Sequence, residues 1–163
     1  MKASFDFSGA NVLVFGGTSG INLGIAEEFA KAGANLGVAS RKPEKVEAAV
    51  AGLRALGARA EGYALDVRDA AAVAEAIATF ARDVGPIDVL ISGAAGNFPA
   101  PALGMSPNAF KSVVDIDLLG TYHVMRAGFE HLRKPGACVI NISAPQAQIP
   151  MQLQAHVCAA KAG

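Results

Sequence analysis

Three observations predict an α/β fold built on a doubly wound parallel sheet. Apolar stretches of strand length alternate with longer, alanine-rich stretches of helical period, and the strand stretches are apolar at consecutive positions rather than at every second one. Strands read that way when helices cover a sheet from both sides. A glycine-rich turn follows the first of them, where a parallel sheet hands the chain to its first helix.

The strands are expected at residues 11–15 (NVLVF), 35–39 (NLGVA), 59–65, 87–91 (IDVLI) and 137–142 (ACVINI). Helices are expected at 21–32, 43–56, 70–84, 107–119 and 121–133. The last two are compatible with one long element that has Gly120 inside it. Pro43 and Pro107 stand where a first helical turn tolerates proline, and Gly33 and Gly57 where a helix ends. A sixth helix begins near Ala155, and the chain stops within its first turns. We therefore expect one domain over residues 1–163, truncated, with the C-terminal part of the sheet missing.

Composition narrows the partners. Fourteen Lys and Arg balance fourteen Asp and Glu, without a run of like charge, so neither nucleic acid nor an anionic membrane is expected and a small molecule is. No apolar segment has the length of a signal peptide or a membrane span, which leads to the expectation of a soluble, cytoplasmic protein. Cys138 and Cys158 fall in an expected strand and an expected helix and read as small buried residues, with no disulfide and no metal site.

The turn itself is Gly16-Gly17-Thr18-Ser19-Gly20-Ile21-Asn22-Leu23-Gly24, spaced GxxxGxN rather than GxGxxG. A helix N-terminus behind a glycine turn is built for phosphate, because its first N–H groups lack partners and the helix dipole favours negative charge. Gly16 supplies the tight turn, Gly20 lets the backbone approach a pyrophosphate, Thr18 and Ser19 add hydroxyl donors, and Ile21 opens the helix. After the second strand, where an NAD site places a carboxylate roughly 20 residues beyond the loop, stands Ser40-Arg41-Lys42. Arg41 can fork onto a 2′-phosphate and Ser40 can donate to it, so the sequence favours NADPH. Asp66 and Val67, after the third strand, are expected beside the adenine, unless Asp66 caps the next helix.

These segments resemble the short-chain dehydrogenase/reductase family. The loop, Asp66-Val67, Ser92-Gly93-Ala94-Ala95-Gly96, Asp117-x-x-Gly120, Asn141-Ile142-Ser143 and Ala159-Ala160-Lys161-Ala162-Gly163 occur in the family's order. The resemblance implies a Rossmann fold and Ala94 and Ala95 against the cofactor. It further implies Lys161 on the nicotinamide ribose, and a homotetramer or homodimer formed through the helices that begin near Asp117 and Ala155. The family's usual Asn, Ser, Tyr and Lys are altered here. Lys161 is present, but Val157 stands at the Tyr position, Ala144 at the Ser position and Asp117 at the Asn position. Phe15 replaces a usual Thr, and Asn22 a usual third Gly, where its side chain either reaches a phosphate or crowds the site.

Within the family, the 2,4-dienoyl-CoA reductases of peroxisomal type are similar at Ala94-Ala95-Gly96-Asn97-Phe98, Asn108-Ala109-Phe110-Lys111, Asp115-Ile116-Asp117 and Gln152-Leu153-Gln154-x-His156. That resemblance implies reduction of a dienoyl or similar enoyl thioester. Asp117, Lys161 and Ser143 are then the catalytic residues, with Asp117 as proton relay and Ser143, like Asn97, a polar contact to an acyl-CoA substrate, and Phe98 lines the core or the acyl pocket. His156 reads either as an acid/base group or as a cap or packing residue, and His123 and His131 as structural. Asp115 and Asp117, two apart on a helix, do not share a face. The alternative to an enzyme is a catalytically idle nucleotide-binding protein with a regulatory or assembly role.

Overall fold

The computed structural model describes residues 5–163. The described elements follow in order as β1 (Asn11–Phe15), α1 (Gly20–Lys31), β2 (Asn35–Ser40), α2 (Pro43–Ala55), β3 (Ala60–Ala64), α3 (Ala70–Asp83), β4 (Val89–Ser92), α4 (Pro107–Val114), α5 (Gly120–Gly128), β5 (Cys138–Asn141) and α6 (Ala155–Ala162). The five strands form one parallel sheet in the order β3-β2-β1-β4-β5. The doubly wound α/β fold is therefore present.

β1 shows why consecutive apolar residues are needed at the centre. Val12 and Val14 point to one face, into a core shared with Ala26 and Ala30 of α1 and Val46 and Leu53 of α2. Leu13 and Phe15 point to the other, against Ile77 and Phe80 of α3 and Val124 of α5. All four are fully buried, and each such side chain contributes about 1.5–3 kcal/mol by leaving water. Leu13 lies opposite Gly37 on one side and Leu90 on the other.

The chain winds outward from β1 to β3, then returns to the far side of β1 with β4. The two loops that leave β1 and β4 consequently diverge at the carboxyl edge of the sheet, the place where open α/β sheets form a ligand crevice.

Two expectations change at the edges. All four residues of β5 are exposed, so the expected continuous burial fails there, and Cys138 is exposed while Cys158 is only partly buried. The cause is position: among the described residues β5 has β4 as its only strand neighbour, and α6 packs on α4 through Val113, Val157 and Ala160. Helices four and five are one run from Pro107 to His131, but with a π-helical turn, Asp115–Leu119, inserted between α4 and α5.

Candidate active site

β1 ends at Phe15, and the chain turns at Gly16 with φ of 80°. A Cβ on Gly16 would stand 2.8 Å from the backbone nitrogen of Ala94, so only glycine lets the loops after β1 and β4 lie this close. Ser19, extended, precedes α1 and makes no side-chain cap, and the first turn of α1 holds no acidic residue. The first N–H groups of this 12-residue helix are thus left for an outside acceptor. Gly20 is needed for its φ of 55° rather than for space, since nothing lies within 4 Å of a Cβ there.

Between these loops runs a cleft of about 270 Å³. It is lined by Gly16, Thr18, Ser19, Ser40, Arg41, Asp66, Val67, Ala94 and Ala95 from the expected cofactor set, and also by Asn22, Lys42, Lys45 and Ile116. Ile21 does not line it and is 75% exposed at the start of α1. Arg41, Lys42 and Lys45 make no ion pair among the described residues, which leaves three cations on the wall after β2. Lys45 was missed in the sequence, although a helix starting at Pro43 places it in the first turn beside the loop.

Asp66 is engaged. Arg68 donates to both of its oxygens, to Oδ1 at 3.0 Å and to Oδ2 at 2.6 Å, and this pair, working against partial burial, holds the Asp66 carboxyl below its ordinary range. It does not cap α3; Asp69 does, accepting from Ala71 and Ala72. Val67 is fixed from behind, where His123 Nδ1 lies 2.9 Å from its carbonyl oxygen. His123 is structural, as expected, by holding the cleft wall.

The second cluster lies where the β4 exit, the π turn, the end of β5 and α6 meet. Asp117 sits in the π turn with its side chain 1% exposed. Gly96 donates its backbone N–H to Asp117 Oδ1 at 2.6 Å, and Lys161 Nζ stands 3.3 Å from Oδ2. Lys161, 12% exposed, also donates to the carbonyl of Ile142 at 3.3 Å. Asp115 points elsewhere and pairs with Lys111 on the surface.

Ser143, next after Ile142, and Asn97, next after Gly96, are both exposed. Phe98 is half-buried, packed with Val113, Val157 and Ala160, its ring centroid 4.4 Å from that of His156. Val157 is 3% exposed. His156 is fully buried, and neither ring nitrogen has a hydrogen-bond partner among the described residues. The two tyrosines lie away from this cluster, Tyr63 on β3 at the opposite sheet edge and Tyr122 exposed on α5.

The family model of short chain dehydrogenases matches residues 10–163. The chain belongs to this family. Its relatives include proteins named peroxisomal 2,4-dienoyl-CoA reductase from Rattus norvegicus, 43% identical over 91% of this chain, and from Arabidopsis thaliana, 40% identical over 94%. The match takes in 52% and 55% of those proteins, so this short-chain dehydrogenase chain spans about half their length. The citronellol catabolism dehydrogenase of Pseudomonas aeruginosa superposes with a TM-score of 0.92 at 29% identity, covering 100% of this chain and 67% of that one. The family and fold imply a nicotinamide cofactor, and the glycine turn, the uncapped helix start and the cationic wall fit one.

The names of the relatives correct the expected cytoplasmic location, because they are peroxisomal proteins, one in Saccharomyces cerevisiae included. The expectation rested on the absence of an apolar leader. That observation does not bear on peroxisomal import, whose address is a receptor-read C-terminal tripeptide.

Proposed function

We propose that the protein is an NADPH-dependent reductase of 2,4-dienoyl-CoA or a similar conjugated acyl thioester. The observation that carries this reading is the buried Asp117–Lys161 pair, 3.3 Å apart, on a site whose expected phenol is Val157. A valine cannot protonate a carbonyl oxygen, so ordinary ketone chemistry lacks its acid. A conjugated thioester does not need that acid at the same atom, because its negative charge is delocalised on to the thioester oxygen and the proton is added to carbon. The names of the dienoyl-CoA reductase relatives support the same substrate class.

Gly16, Thr18, Ser19 and Gly20 hold the pyrophosphate in this reading, with Ile21 giving only its backbone N–H at the start of α1, Ser40 and Arg41 hold the 2′-phosphate, Asp66 and Val67 the adenine, and Ala94, Ala95 and Lys161 the nicotinamide half. When bound, NADPH supplies the hydride, delivered to the distal carbon of the diene. The Lys161 ammonium places positive charge where the oxyanion develops, with Ser143 and Asn97 as further polar contacts. Asp117, held by the Gly96 N–H, orients Lys161 and relays a proton from solvent to the dienolate carbon. Phe98 shapes the acyl end, and a symmetric homo-oligomer is the proposed assembly.

Oxidation of NADPH, followed at its near-ultraviolet absorbance with a 2,4-dienoyl-CoA, tests the proposal. Turnover is expected, and a drop of at least about 100-fold in Asp117→Asn or Lys161→Ala. Binding of NADPH without turnover would leave a nucleotide-binding protein and overturn the enzyme.

A further inference from the structure

The geometry points to Asn22 as a cofactor-positioning residue, whose amide clasps Gly93 and so fixes the phosphate loop against the exit of β4; the inference rests on the NADPH reading above. Asn22 Nδ2 donates to the carbonyl oxygen of Gly93 at 2.8 Å, a bond that joins the first turn of α1 to the residue directly after β4 across 71 positions of sequence. The amide lies broadside over Gly93: a Cβ built there would collide with its nitrogen, oxygen and carbon alike. Asn22 and Gly93 therefore form a matched pair, in which the side chain at 22 occupies the volume left free at 93. A few ångströms away Gly16 makes a second close approach, its absent Cβ facing Ala94. The loops after β1 and β4 are thus interlocked twice, at the point where the strand order reverses and the cleft opens.

To the expectation that Asn22 either reaches a phosphate or crowds the site, the structure adds this third arrangement. One of its two N–H groups is spent on Gly93, and Oδ1 is an acceptor, which repels phosphate oxygen. That Oδ1 is buried, lines the same cleft and has no hydrogen-bond partner among the described residues. Donors of a dinucleotide on this side of the crevice are hydroxyls of the ribose next to the nicotinamide, since the cationic wall after β2 takes the adenosine end. One such O–H, or a water it holds, completes Oδ1. The clasp is formed before ligand arrives, so it acts by preorganisation: the two loops need not be ordered at the expense of binding.

Calorimetric titration with NADPH and with adenosine 2′-monophosphate, which carries the adenosine end without a phosphate of the bridge, separates positioning from mere structure. In Asn22→Ala, NADPH affinity is expected to fall about tenfold, the scale of one lost hydrogen bond with a buried carbonyl left unpaired, while the monophosphate binds as to wild type. Gly93→Ala should weaken NADPH comparably, and adding it to Asn22→Ala should cost much less than on its own, because the collision has been removed. Equal weakening of both ligands, unchanged NADPH affinity, or additive effects of the two substitutions would overturn the clasp. If the wild type prefers NADH, the cofactor choice fails separately, and the same comparison is made between NADH and adenosine. A wild type that binds no dinucleotide overturns both inferences.

Discussion

Asp117 is a carboxylate that folding has removed from water, and its surroundings show what it costs to disturb. Its oxygens face one backbone N–H and one ammonium, at 2.6 and 3.3 Å. Asp117→Ala leaves Lys161 buried without its counter-charge, and is expected to lower unfolding free energy by about 3 kcal/mol, measured by urea denaturation. Asp117→Asn should lose less, because its side-chain oxygen still accepts from Gly96. Equal losses would place the stability elsewhere than in these contacts. At this scale the sequence shows residue types but not their company. Lys161 and Asp117, and the valine where a phenol is usual, are visible from the resemblance. The Asn22 contact to Gly93 is not, since 71 residues separate the partners. Nor is the partner of Phe98, expected as core or acyl-pocket lining and packed with His156 in the α4–α6 contact.

Elements at the centre of the sheet were legible because their burial is uniform. β1 falls on residues 11–15 as expected, and β2 extends one residue further, to Ser40. β4 starts at Val89 rather than at residue 87, where Ile87 forms only an isolated bridge to Leu132. The π turn could not be foreseen, because one extra residue per turn leaves no mark on a helical apolar pattern, yet it carries Asp117. Just before β4, Asp88 joins three parts of the fold: it accepts from the backbone N–H of Asn11 at 2.8 Å and from the Arg133 guanidinium ahead of β5. Partial burial pushes its carboxyl up, but the Arg133 hydrogen bonds, the Asn11 N–H and the nearby positive charge together outweigh burial and hold it below the ordinary value. A depressed folded pKa contributes stability that is present above the unfolded value of about 3.9 and is lost as pH falls through the folded one. Urea midpoints should therefore decline below about pH 4, and Asp88→Asn should flatten that acid limb while lowering stability at neutral pH. An unchanged limb in the variant would assign acid sensitivity to other carboxylates.

In the molecule as a whole, the order β3-β2-β1-β4-β5 puts every piece of the candidate site at one sheet edge, and the division of labour along that edge follows from it. Cations after β2 stand at one end of the cleft, the glycine turn after β1 in the middle and Ala94, Ala95 and Ile116 at the other end, with the Asp117–Lys161 pair outside its lining beyond β4. The crevice was legible in the sequence because strand alternation and the glycine turn fix it together. That Lys42 and Lys45 join Arg41 on its wall was legible only in part: Lys42 follows Arg41 and a helix starting at Pro43 puts Lys45 in its first turn, but their reach into the cleft depends on how α2 is set against the loop. We propose that this wall selects the phosphorylated cofactor, and calorimetry of NADPH against NADH tests it most directly. NADPH is expected to bind at least about tenfold more tightly, with the preference lost in Arg41→Ala, since a charge-assisted fork on a phosphate is worth about 1.5–3 kcal/mol. Equal affinity for the two cofactors, or a preference that survives removal of Arg41, would contradict it.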